Sequence, residues 1–172
     1  WRSPQGATVE LRARRVVPLQ AGALLCIRLE LQSIDYSGPV TFDSALSGER
    51  EAPPQGDDPR IGAGADAGFE FAQLAIDADA ACVAQRARRS GIAVYAEQRH
   101  APGDGVAFER AYAGSASAHQ VYGGVFTPGA TLVIEKFVAY AWSEHGSPQP
   151  VDALAARARQ TLAAAGSYAA QA

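Results

Sequence analysis

The chain has 172 residues, 48% hydrophobic and 19% charged, which is the size and composition of one globular domain that can bury a core without staples. A formal net charge of −3 excludes nucleic acid as the main partner, because phosphate binding needs a clustered positive field. No apolar run approaches the roughly twenty residues of a membrane-spanning helix, and no signal peptide opens the chain, so a cytoplasmic location with no membrane partner is expected.

In chain order, Val9, Leu11 and Ala13 alternate with Glu10, Arg12 and Arg14, the period of a strand with one wet face. A longer alternation follows, with Leu25, Ile27, Leu29 and Leu31 set against Cys26, Arg28, Glu30 and Gln32. The turn residues of 35–39 lead into a third strand carrying Val40, Phe42 and Leu46. Residues 47–68, rich in Gly, Pro and Asp, have no periodicity and read as one long loop; loops beyond about fifteen residues tend to be functional or disordered. Strand patterns resume over 69–76, 82–88, 92–99, 106–112 and 120–126, separated by turn cues such as Ser90-Gly91 and Pro128-Gly129. The last strand spans 131–142, and its alternation slips between Ile134 and Phe137, which predicts a bulge or burial on both faces. About nine strands with no helix between them predict antiparallel sheets packed as a sandwich.

The end of the chain changes register. Pro150 suits the first position of a helix, and Asp152 favours the positive end of its dipole. Leu154, Ala158, Thr161, Leu162 and Ala165 form one helical stripe that Gly166 can close. Ser167 is placed to cap a second helix, yet only residues 168–172 follow, too few to hold a helix in water. With Trp1 at the start and no methionine, the chain is expected to be a segment of a longer polypeptide. The expected division is a β-sandwich over 1–146 and the start of a helical linker over 147–172.

Little in the sequence points to chemistry on this chain. Cys26 and Cys82, each between apolar neighbours, make neither a disulfide framework nor a zinc site and are expected to be buried, reduced thiols. His100, His119 and His145 have no metal-site spacing and lie near strand ends or turns, where a solvated or hydrogen-bonded imidazole is the ordinary state. Glycosidic cleavage needs two carboxyl groups facing across a sugar. Asp57, Asp58, Glu97, Glu109, Glu135 and Glu144 are available, but nothing in the sequence sets two of them opposite each other. Glu135 and Lys136, the only lysine, are expected to form a cross-strand or interface pair. The glycines at 62–68 and 123–124 do not join a strand to a helix, and Ser115 and Ser117 lack a nucleophile elbow. Trp1, Tyr95, Tyr112, Tyr122 and Trp142 could stack on a sugar ring, although core and interface packing is their more ordinary use. No catalytic residue, metal or cofactor is assigned.

An ordered set of motifs adds a family reading. Trp1-x-Ser3-Pro4-x-Gly6, Arg14-Arg15-Val16-Val17, Ser44-x-Leu46-x-Gly48, Asp57-Asp58-Pro59-Arg60, Arg86-x-x-x-Ser90-Gly91 and Lys136-Phe137-Val138-Ala139-Tyr140-x-Trp142-Ser143 follow one another along the whole chain. This series resembles the N-terminal domain of glycoside hydrolase family sixty-five, which holds maltose, trehalose, kojibiose and nigerose phosphorylases and some hydrolases. The resemblance implies an antiparallel β super-sandwich, galactose mutarotase-like, followed by a linker helix to an (α/α)₆ barrel. It implies that the catalytic acid and the site for inorganic phosphate, the parent's co-substrate, belong to that barrel. The expected partners are therefore the catalytic barrel of the same polypeptide, a disaccharide bound by the parent, and a second copy in a homodimer. Asp58 and Arg60 on the long loop, together with Trp142, are the candidates for the substrate rim or the domain interface. Trp142 and the helix stripe are expected beside an exposed apolar patch. A stand-alone carbohydrate-binding module is the alternative.

Overall fold

The computed structural model describes residues 1–48, 68–144, 147 and 149–172. Within these residues the strands are β1 (Val9–Val16), β2 (Leu24–Ser33), β3 (Gly38–Ser47), β4 (Phe69–Ile76), β5 (Ala81–Ala87), β6 (Ala93–Pro102), β7 (Val106–Ala113), β8 (Ser117–Phe126) and β9 (Thr131–Trp142), followed by the helix α1 (Val151–Ala164). They form a six-stranded sheet in the order β1-β2-β9-β6-β5-β4 and a three-stranded sheet in the order β3-β8-β7, both antiparallel. The two sheets face each other, as the alternating pattern predicts, and α1 covers the opposite face of the larger one.

The central strand β9 accounts for the slip read in the sequence. It pairs without interruption with β2 on one side and β6 on the other, so it carries no bulge. Both of its faces are buried instead. Leu132, Ile134 and Val138 pack toward the small sheet, whereas Phe137, Ala139 and Ala141 pack beneath α1. A strand covered on both faces has no polar side to display, and its period of two fades. The bulges fall elsewhere, between Phe71 and Gln73 on β4 and between Phe108 and Arg110 on β7.

Between the sheets the apolar core is crossed by one polar chain: Gln98 Nε2 donates to Gln120 Oε1 at 3.1 Å, and Gln120 Nε2 donates to the Asp77 carbonyl at 3.0 Å. The amide donors of this chain are satisfied and tie β6 and β8 to the β4–β5 turn, while the buried Gln98 Oε1 has no partner among the described residues. Cys26 and Cys82 are buried and unbridged, and burial pushes the Cys26 thiol up.

The helix departs from expectation. Its apolar stripe is fully covered: Leu154, Ala155, Ala158 and Leu162 lie against Ala93, Tyr95, Phe137, Ala139 and Ala141. Alanines on both partners let helix and sheet approach closely, so the stripe completes this core and leaves no patch open. Polar ties reinforce it. Arg159 Nε donates to Glu97 Oε2 at 3.0 Å, and the Tyr168 amide donates to Glu135 Oε2 at 3.1 Å. Gly166 closes the helix with φ of 62°, and residues Tyr168–Ala170 form a 3₁₀ turn that buries the Tyr168 ring.

Candidate functional site

Three surfaces gather chemistry-bearing side chains. The first is the end of the sandwich at which β9 finishes. Strand register places Trp142, Val94, Gln85 and Phe71 in one row across β9, β6, β5 and β4, on the face that elsewhere meets the small sheet. In the next row, Tyr140, Ala96, Val83 and Leu74, the last three continue into the core. The small sheet stops short here, so Trp142 is 48% exposed and Phe71 45% exposed, with Phe69 and Tyr140 also open. Trp142 is thus at an apolar exposed patch, as expected, while the helix stripe is not.

Both ends of the long loop are tied to this end of the fold. Gln85 Nε2 donates to the Gly48 carbonyl at 2.6 Å, and the Arg88 amide donates to the Gly68 carbonyl. Asp58 and Arg60, the loop's candidate residues, lie outside the described residues, as do Asp57 and His145.

The second surface is the outer face of the three-stranded sheet. His119 Nδ1 lies 2.9 Å from Asp43 Oδ1, and its Nε2 lies 3.0 Å from Ser117 Oγ. The Tyr112 hydroxyl donates to Asp43 Oδ2 at 2.6 Å, and its ring stacks on His119 with centroids 4.4 Å apart. Hydrogen bonds from Tyr112 and His119 hold the Asp43 carboxyl below the usual carboxylate range, and Asp43 raises the Tyr112 hydroxyl in return. The order serine, histidine, aspartate is that of a nucleophilic relay. Ser117, however, is buried beneath the turn at Gly114, where a Cβ would collide with its Oγ, so the hydroxyl is not presented to a substrate. The arrangement is a braced polar platform. Sequence reading missed it because Asp43 and His119 are 76 residues apart; the one available signal is the Ser117–His119 spacing, which puts both on one strand face.

The third is a cleft between the sheets, lined among others by Leu11, Leu29, Ser44, His100 and Lys136. His100 lies near the end of β6, half-buried and hydrogen-bonded, which is the ordinary state expected of it: its Nε2 is 2.8 Å from Ser44 Oγ, and desolvation pulls its pKa down to about 3. Lys136 and Glu135 are neighbours on β9 and therefore point to opposite faces. Glu135 forms the cross-strand pair, with Arg28 Nη1 at 2.6 Å, and Lys136 donates to the Ala45 carbonyl at 2.8 Å.

No two free carboxylates face each other across these surfaces among the described residues. Glu97 is closed in by Tyr95 and Arg159, Glu135 by Arg28 and Tyr168, while Glu109 and Glu144 lie on the exposed surface. Nor do three or more His, Cys, Asp or Glu among the described residues cluster as metal ligands would. Tyr95 and Tyr122 are core residues and cannot stack on a sugar, whereas Trp1, Tyr112 and Trp142 keep exposed rings.

Two antiparallel sheets and a helix that covers the outer face of the larger one define a β-sandwich. Residues 1–172 match the family described as "Glycosyl hydrolase family 65, N-terminal domain", and the chain belongs to that family. Two uncharacterized glycosyl hydrolases from two Mycobacterium tuberculosis strains are each 28% identical to it over 146 residues, covering 83% of this chain and 18% of their own length. The solved structure of a "Putative kojibiose phosphorylase from human microbiome" superposes with a TM-score of 0.80 at 12% identity, over 99% of this chain and 21% of that one. The chain therefore spans about a fifth of the length of the proteins it matches.

Proposed function

We propose that this chain is the non-catalytic β-sandwich of a family sixty-five enzyme that cleaves α-linked glucosides, by phosphorolysis or hydrolysis, on a separate (α/α)₆ barrel of the same polypeptide. The observation that carries this reading is the open row at the end of the sandwich, where Trp142 and Phe71 are 48% and 45% exposed although they continue a buried inter-sheet face. Aromatic side chains left open at the rim of a packed core are the mark of an interaction surface. In this reading the barrel covers that row. The loop anchored at Gly48 and Gly68 carries Asp58 and Arg60 toward the sugar bound by the barrel, and inorganic phosphate enters on the barrel side. A homodimer and a cytoplasmic setting complete the proposal, the latter supported by two unbridged buried thiols.

The test is made in the full-length parent. Arg60→Ala should raise KM for the sugar acceptor while leaving kcat close to that of the parent; unchanged constants remove the loop from the site. Calorimetry of this chain with maltose, trehalose and glucose should give no binding heat. A saturable heat would favour the carbohydrate-binding module, with the exposed Tyr112 ring as its platform.

A further inference from the structure

The three-stranded sheet leaves part of the larger sheet uncovered. Among the described residues β3 pairs only with β8, and its other edge, along which no described strand lies, stands opposite the inward side chains of β1 and β2. Leu11, Ile27, Leu29 and Leu31 form the apolar wall, and the cleft between wall and edge measures about 420 Å³. That is the size of a small-molecule site, apolar with a few convergent polar groups. Lys136 lies in it, held by the Ala45 carbonyl on that edge of β3 at 2.8 Å. It is also the chain's only side-chain amine.

We propose that Lys136 is a carbonyl-capturing amine: the cleft admits a small aldehyde with an apolar body, and Nζ closes on it as an imine. The neutral amine adds its lone pair to the carbonyl carbon and the carbonyl π pair moves to oxygen. The nitrogen gives up a proton, the oxygen gains one, and the resulting carbinolamine loses water. One C–N double bond forms, one water leaves, and no oxidant or reductant is needed. A protonated imine keeps one N–H, enough to hold the Ala45 carbonyl.

The surroundings favour the neutral amine that this chemistry needs. Burial pulls Lys136 down to about 8 from 10.5. At pH 7.5 that leaves roughly a quarter of it neutral, against about one part in a thousand for an ordinary lysine. Among the groups around it, His100 on β6 is itself held neutral by burial. Asp43 on β3 is engaged by Tyr112 and His119, and Arg15, in the same cross-sheet row on β1, is exposed to solvent.

The experiment treats the full chain with benzaldehyde and cyanoborohydride from pH 6 to 10, followed by peptide mapping. The expected product is a benzyl adduct on Lys136. Its rate should saturate with benzaldehyde, reach half its maximum near pH 8, and exceed that of an exposed lysine in a reference peptide at least tenfold at pH 7.5. Leu11→Glu, at a wall position 54% exposed and so tolerant of change, should raise the saturating concentration several-fold without moving the pH midpoint. Label confined to the Trp1 amine overturns the proposal. So does a Lys136 rate that never saturates and has its midpoint near 10.5.

Discussion

Truncating Leu154 tests whether α1 is a layer of this fold or an appendage to it. Leu154 is fully buried, and its neighbours in the core include Ala93, Ala139 and Ala141. Small side chains fixed on a paired sheet cannot move in to fill the space that Leu154→Ala leaves. The lost transfer free energy, about 2 kcal/mol, is therefore joined by a cavity penalty, and the total falls at about 3–4 kcal/mol. Urea unfolding followed by circular dichroism and by Tyr and Trp fluorescence should show both signals shifting together, by about 1–1.5 M, with an unchanged slope. Leu19→Ala, at a fully exposed position, serves as the control and should cost nothing measurable. A cost below about 1 kcal/mol, or a helix signal lost before the sheet signal, would refute the reasoning, since either means the helix is only loosely docked.

Two further outcomes follow from the interior. His100 has a folded-state pKa depressed from 6.5 to about 3, so its contribution to stability is full above 6.5 and is lost as pH falls toward 3. Urea midpoints measured over that window should fall with pH, and His100→Asn should flatten the decline; an equally steep decline in the variant would place the acid sensitivity elsewhere. Gly124→Ala should destabilise by about 1–3 kcal/mol, because a Cβ there would stand 2.9 Å from the Gly105 carbonyl and 2.7 Å from Leu132 Cδ1. A melting temperature equal to that of the parent would show that the β7–β8 end of the small sheet is more yielding than its packing indicates.

The strands were legible because apolar and polar side chains alternate with a period of two, as they do along β1 and β2. Which sheet each strand joins was not legible. β3 and β6 carry the same alternation, and only long-range pairing, β3 with β8 and β6 with both β5 and β9, separates them. β9 was read ambiguously for a physical reason, since the central strand of a layer covered on both sides shows no polar phase. The helix stripe was read correctly as apolar but assigned to an open surface. A stripe's chemistry does not reveal whether its partner is a neighbouring domain or the back of its own sheet.

The candidate sites divide in the same way. Trp142 could be placed from its position at the end of a strand beside turn residues. The bracing of Asp43 by Tyr112 and His119 depends on strands that meet only in the folded chain. The partial burial of Lys136 depends on an edge, that of β3, which no local pattern announces. Glu135 and Lys136 show how firmly the pleat governs such outcomes, because adjacent residues on one strand serve opposite layers whatever their charges.

In the proposed function the open row at the end of the sandwich is a surface that the catalytic barrel covers. Hydroxyl-radical footprinting of this chain and of the full-length parent, read at Trp142, Phe71 and Phe69, tests that directly. The three side chains should be modified at least fivefold more slowly in the parent, while Leu19 and Val125 react equally in both. Equal modification of Trp142 and Phe71 in the two proteins would contradict it.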